Sequence, residues 1–319
     1  MEHTPSAAVH AAIEDLRQVL ADDDLTSDPD PGRRSNALGR IWEHLVDKHR
    51  RPAPAGSSLI LDLFAQVTGG PVVDQSNYQF VRLHRPGASD DDSAWAELYN
   101  QLCHQGSVNP ISYAALPVLA ALVLDKPDCA WPLTIASSIV ASPYVTGTDR
   151  DTELAAHATT IAALRDATER SLAASAEQCT ADCQPPMDLV DRAELLTALA
   201  AFEGLEPWGF DLDRLTGYEE DAAEVEVECP SCKHYLVVGL PSDGSITLAA
   251  EGCEPCDALI AAPDLSLLNV DDARIHHLAC QYDVLVTPLT SLFSTITCPG
   301  CDTPYRLSDG IRAWTDTGM

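Results

Sequence analysis

Six of the eleven cysteines in this chain stand in Cys-x-x-Cys pairs. They are Cys229 and Cys232, Cys253 and Cys256, and Cys298 and Cys301. Two thiolates at that spacing sit on one tight turn and face one ion. Two such turns supply the four ligands of a closed tetrahedral zinc site. Such a site is structural, because four protein ligands leave no open position for metal-based catalysis. The odd cysteine count, with no secretory signal ahead of it, argues against a disulfide framework. A redox dithiol wants a thioredoxin-like βαβ setting, which the sequence does not show.

Which pairs share the ion is open to two readings. Cys229-Pro230-Ser231-Cys232 and Cys298-Pro299-Gly300-Cys301 each lie between two strand-like segments. Both have proline second, and both run through polar residues to a tyrosine, Tyr235 or Tyr305. Turn chemistry therefore joins Cys229, Cys232, Cys298 and Cys301. Spacing points elsewhere: 20 residues separate Cys232 from Cys253, inside the common interval of about 15–20. That alternative uses Cys253 and Cys256 and leaves Cys298 and Cys301 to seek Cys280 or His276. A long insertion between paired turns is tolerable, since loop-closure cost grows only logarithmically.

Other thiols and imidazoles read as structural. Cys103 and His104 are adjacent, so on a helix they point apart and make a poor nucleophile–base pair. His276 and Cys280 stand four apart on an expected helix and share a face; a core cysteine beside a half-buried histidine is the plainer reading. Cys179 and Cys183 fall in an expected loop. Residues 48–51 (Lys48, His49, Arg50, Arg51) form a local basic patch at a solvated helix end. No Gly-rich phosphate loop, nucleophile elbow or His-Glu-x-x-His is present, and no catalytic residue is assigned.

The elements that must carry these residues change character along the chain. Apolar positions at three- and four-residue spacing predict helices over 7–20, 36–49, 58–67, 94–104, 111–125, 132–141 and 187–203. The helix over 111–125 is expected to kink at Pro117. Thr148, Asp149, Arg150 and Asp151 resemble a capping box ahead of one long helix to about residue 176. Its expected stripe is Leu154, Ala158, Ile161, Leu164, Thr168 and Leu172. Near Leu215 the pattern switches. Glu224 to Glu228 alternates with period two, and strands are expected over 224–228, 235–240, 245–250, 295–297 and 305–307, with helices over 274–282 and 284–293. The expectation is a mainly α protein. An N-terminal helix and linker (1–35) precede an antiparallel helical stack (36–215), a short α-solenoid in outline, and a small zinc-ribbon-like α+β domain follows (216–319).

Charge narrows the partners. The chain carries 49 acidic against 19 basic residues, a net charge of −30. That excess repels phosphate backbones and anionic membrane surfaces, so neither nucleic acid nor membrane is an expected partner. It suits solubility in a salty cytoplasm, a basic protein partner, or mimicry of nucleic acid. Residues 1–10 have no basic segment leading into an apolar one, and the longest apolar run, 114–124, is too short for a span. The expected location is the cytoplasm.

Several segments resemble a group of uncharacterised bacterial proteins, commonest in actinobacteria, described as HEAT-repeat-like. They are Trp95 to Tyr99, Leu102 to Ser107, Ser112 to Leu119, Leu199 to Gly204 before Trp208 and Gly209, the Cys229 turn, and Leu292 and Phe293 leading into Cys298 to Cys301. The resemblance spans roughly 95–305. It implies a helical repeat domain with a zinc-ribbon-like tail, and it supports pairing the first and last cysteine turns, since Cys253 and Cys256 stand out as an addition. It also carries an association with immunity proteins. Together these readings give a non-catalytic, cytoplasmic protein-binding scaffold, in one concrete form an immunity protein that neutralises a basic toxin. The alternatives are a thiol-dependent redox protein or enzyme and an acidic nucleic-acid mimic.

Overall fold

The computed structural model describes residues 6–22, 63–64, 90–103, 107–125, 129–178, 189–205, 207–212, 223–240, 247–250, 256–257 and 263–316. The helix expected over 36–49, the basic patch at 48–51, His104, Cys179, Cys183 and Cys253 lie outside them. So does Leu215, where the sequence changes texture. Of the helix expected over 58–67, Leu63 and Phe64 are described; both are helical and buried. The described chain is mainly helical, with a few short strands. It forms two compact units, Met1–Ile135 with Pro143–His157, and Ala136–Ser142 with Ala158–Met319.

In the first unit α1 (Ala7–Asp22) packs on α4 (Leu116–Asp125). Helix α2 (Asp90–Leu102) begins at the acidic run itself, and its Trp95, Leu98 and Leu102 are buried. Strand β1 (Ser107–Val108) leads into α3 (Pro110–Ala114) and α4 (Leu116–Asp125). These two helices replace the single one expected over 111–125. Pro117 has no N–H to give and its ring crowds the carbonyl four residues back, so the helix breaks at Ala115. Helix α3 starts on a full cap: the Asn109 carboxamide accepts the Ile111 and Ser112 N–H groups at 2.9 and 3.3 Å, and Asn109 N–H donates to Ser112 Oγ. Helix α4 buries Leu116, Val118, Leu119, Leu122 and Val123.

Helix α5 (Trp131–Ala141) precedes β2 (Tyr144–Val145), which lies parallel to β1. Asp149 caps α6 (Arg150–Ala156) by accepting Thr152 N–H at 2.9 Å, as the capping pattern predicts. The long helix expected from there does not run through. It ends at His157, and α7 (Ala158–Gln178) begins anew. The two units divide at the same place. No glycine or proline marks this break, so residue type gave no warning of it. Of the expected stripe, Leu164, Thr168 and Leu172 are buried, Leu154 and Ile161 are half-buried, and Ala158 is exposed.

The second unit builds on α7 and α8 (Leu189–Glu203), which pack together, with Ala193, Leu196 and Leu199 of α8 buried. A short α9 (Trp208–Asp211) follows. A four-stranded sheet has order β3-β4-β5-β6: β3 (Ala223–Glu228), β4 (Tyr235–Leu240), β5 (Thr247–Ala250) and β6 (Cys256–Asp257), each pair antiparallel. After it come α10 (Val270–Tyr282), α11 (Val286–Leu292), the hairpin β7 (Thr295–Thr297) and β8 (Pro304–Arg306), and α12 (Leu307–Asp316). The sequence reading missed α12, taking its first residue as the end of a strand. Yet α12 buries Leu307 and Ile311 and packs across β3.

Helices α8 and α10 are fastened at both ends. The Arg274 guanidinium donates to both Glu203 carboxylate oxygens, at 2.7 and 2.6 Å. Arg192 donates to the carbonyls of Tyr282 and Asp283, where α10 stops on the left-handed Asp283. Among the described residues, no helix is long and apolar enough to cross a membrane.

Candidate metal centre

Two hairpin turns make the site, and they are built alike. Strand β3 alternates, with Val225 and Val227 buried, and pairs with β4 up to Glu228 opposite Tyr235. Between them Cys229 N–H donates to the His234 carbonyl at 2.9 Å, and Lys233 N–H donates to the Cys229 carbonyl at 2.9 Å. Between β7 and β8, Cys298 N–H donates to Thr303 O at 3.0 Å, and Asp302 N–H donates to Cys298 O at 2.9 Å. Lys233 and Asp302 hold the same place, and both are left-handed, with φ of 63° and 57°. A side chain there costs roughly 1–2 kcal/mol, so each turn is held in that shape by its surroundings. Lys233 is further tied to Glu228 by an ion pair of 2.8 Å.

The two turns face each other. Cys229 Sγ lies 3.8 Å from Cys301 Sγ, and Cys232 Sγ lies 3.6 Å from Cys298 Sγ. The first cysteine of each turn meets the second of the other, the reciprocity a two-fold arrangement requires. All four sulfurs fall within 4.8 Å of one another. Four sulfurs about 2.3 Å from a central zinc stand roughly 3.8 Å apart along a tetrahedron's edges. A disulfide would need about 2.05 Å, so these are four separate thiols. Four cysteines thus lie together in an arrangement compatible with a metal ion. The sequence alternative drew on Cys253 and Cys256. Cys253 is outside the described residues, and Cys256 opens β6.

Donors around the sulfurs favour the thiolate. Gly300 N–H reaches Cys298 Sγ at 3.3 Å, and the Cys301 N–H adds a second bond there. Cys301 receives the Thr303 hydroxyl and then its N–H, which pull its thiol down to about 6. At Cys232 the His234 N–H works the same way, but desolvation and the three neighbouring thiols outweigh it and push the thiol up to about 12. Burial raises Cys298. Four thiols this close cannot all ionise alone; a divalent cation among them removes the mutual repulsion. Cys229 and Cys298 are buried, Cys301 is half-buried and Cys232 is exposed. Tyr305 beside them is kept neutral, first by its own burial and then by the sulfurs' negative charge.

Helix α12 holds the two hairpins together. Its Trp314 ring lies 5.2 Å from that of Tyr235. Gly310 allows the approach: a Cβ there would stand 2.8 Å from Tyr305 Cε2, 3.1 Å from Val227 Cβ and 3.3 Å from the Glu228 carbonyl. Gly310→Ala is therefore expected to lower stability by roughly 1–3 kcal/mol through overpacking. Thermal unfolding checks this, and an unchanged midpoint would count against the packing described.

The sequence reading also missed a buried charge. Asp272 is fully buried near the start of α10. Its carboxylate accepts from Trp208 Nε1 at 3.0 Å, from Ser308 Oγ at 3.1 Å, and from both terminal nitrogens of Arg312. Asn269 caps the helix by accepting Asp272 N–H at 2.8 Å. The Arg312 guanidinium sits 5.9 Å from the Trp208 ring centre. One carboxylate thus joins α9, α10 and α12. The run Asn269 to Asp272 has the look of a helix start, but nothing in the sequence ties it to an arginine 40 residues on.

Among the described residues, the remaining thiols do not assemble into chemistry. Cys103 is buried against the Ile135 carbonyl, and burial raises its thiol to about 12, so it stays protonated. His276 and Cys280 do share a face. The Thr290 hydroxyl donates to Val286 O at 2.6 Å, so its oxygen accepts from His276 Nε2 at 3.3 Å, which fixes the tautomer. Cys280 Sγ is then 3.9 and 4.0 Å from the two ring nitrogens. Near-equal distances place the sulfur off both in-plane nitrogen directions, so this rotamer forms neither a nucleophile–base pair nor a chelate.

No family model matches the chain, and no curated protein and no solved structure matches it.

Proposed function

We propose that this protein is a non-catalytic, cytoplasmic protein-binding scaffold whose C-terminal part is built on one structural zinc ion. Cys229, Cys232, Cys298 and Cys301 would hold the ion. The carrying observation is the four-sulfur cluster, all within 4.8 Å of one another: around a tetrahedral ion it would fill the coordination sphere with protein ligands and leave no position for a substrate. Sulfur-only tetrahedral sites suit zinc or iron, and zinc needs no redox role.

The helices ahead of the centre supply the surface. The packing of α7 on α8 supports a HEAT-like stack, followed in the chain by a zinc-ribbon-like module. The net charge of −30 directs the choice of partner toward a basic protein, of which a toxin is one form. Affinity pull-down with the full chain tests this. A basic protein should be retained at moderate salt and released as salt rises toward 1 M, where screening shortens to about 3 Å. Recovery of nucleic acid alone, or of no protein, would sink the reading.

A further inference from the structure

The four sulfurs differ in access and in the number of donors each one carries. Cys229 and Cys298 are fully buried, Cys301 is half-buried, and Cys232 is exposed at the tip of its turn. Cys298 takes two backbone N–H bonds, and Cys301 takes the Thr303 hydroxyl and N–H. Among the described residues Cys232 takes one N–H, from His234. Donors withdraw electron density from a thiolate, which favours Cys232 over Cys298 and Cys301, and exposure, which admits the reagent, favours it over all three others. Cys298 Sγ on the opposite turn lies 3.6 Å from the Cys232 sulfur.

We propose that Cys232 is a modification site for small hydroperoxides, with Cys298 as the resolving thiol. This rests on the metal reading above. Cys232, deprotonated when it ligates the ion, attacks the outer oxygen of the hydroperoxide as a thiolate. An S–O bond forms, the O–O bond breaks, and the alkoxide or hydroxide that leaves takes up a proton. Sulfur is oxidised to a sulfenic acid and the peroxide is reduced. The Cys298 thiolate then attacks the Cys232 sulfur. The S–S bond forms, and hydroxide leaves and is protonated to water. In all, two thiolates, one hydroperoxide and two protons give one disulfide, one alcohol (or water) and one water. The centre loses two ligands, one from each turn, and cannot keep its ion.

The test uses full-length, zinc-loaded protein and its Cys280→Ser variant, treated with hydrogen peroxide. Released zinc is read with a chromophoric chelator. Sulfenic acids are trapped with dimedone, and disulfides are mapped by peptide mass spectrometry. The expected result is one Cys232–Cys298 disulfide per zinc released. Trapping at Cys232 should exceed that at Cys229 or Cys298 roughly tenfold. Dithiothreitol with added zinc should restore the starting state. A disulfide within one turn, first trapping at Cys301, or zinc retained at peroxide doses that oxidise Cys280 would overturn the proposal while leaving the metal reading intact. A protein that carries no metal as purified sinks both.

Discussion

Replacing Cys298 with serine is expected to take bound zinc from one ion per chain to nearly none, while Cys253→Ser leaves it unchanged. The reason is energetic as well as geometric. Structural zinc binding is worth about 10–16 kcal/mol in small zinc modules, comparable to a typical domain's whole stability of about 5–15 kcal/mol. The β7–β8 hairpin has three residue pairs and is joined to β3 and β4 through the sulfurs and through α12. Without the ion, two short hairpins would keep four thiols in contact with nothing to repay the crowding. Metal analysis by mass spectrometry, together with circular dichroism before and after chelation, reads both effects. If zinc survives Cys298→Ser and is lost from Cys253→Ser, the spacing rule was right and the facing turns do not share an ion. Iron in place of zinc would keep the site and change the metal.

The second large effect is expected at Asp272. Asp272→Ala leaves the Trp208 N–H, the Ser308 hydroxyl and the Arg312 guanidinium facing a hole where a carboxylate stood. Breaking a buried ion pair from one side costs about 3–5 kcal/mol. In a unit of this size each kcal/mol moves the unfolding midpoint by about 2–4 °C, so a drop on the order of 6–20 °C is expected. Asp272 is fully buried while Arg312 has 24% of its side chain accessible, so Arg312→Met, which strands the buried carboxylate, should cost at least as much. The double variant should then cost less than the sum of the two, because it leaves no lone charge. Equal melting of Asp272→Ala and the parent chain would show that the network does not hold α9, α10 and α12 together.

Local order was legible in the sequence where it depends on neighbours along the chain. Asp149 as a cap, the alternation of β3 and the proline-second cysteine turns were all readable, because each is decided within a few residues. What escaped depends on distant partners. The stop at His157 has no breaker residue; it coincides with the division between units. Helix α12 was hidden because its glycine weakens its helix propensity, and Gly310 is there to let Tyr305 and Val227 come close. Asp272 looked like one more acid among 49. The candidate centre itself was half legible. Turn chemistry pointed to the first and last pairs and spacing to the first and second, and only the meeting of β3–β4 with β7–β8 brings one set of sulfurs together.

That meeting joins cysteines 66 and 72 residues apart in the chain. A ribosome adds about 5–20 residues per second, so the first turn is made on the order of 3–14 s before its mate. During that interval Cys253 and Cys256 have already emerged. The newborn chain therefore holds four thiols, at the spacing common among zinc sites, before Cys298 and Cys301 exist. Any ion captured early would have to be handed on. The order of synthesis thus sets a competition between a near partner that arrives first and a far one with the better turn, and the finished fold brings the sulfurs of the far one beside the first turn.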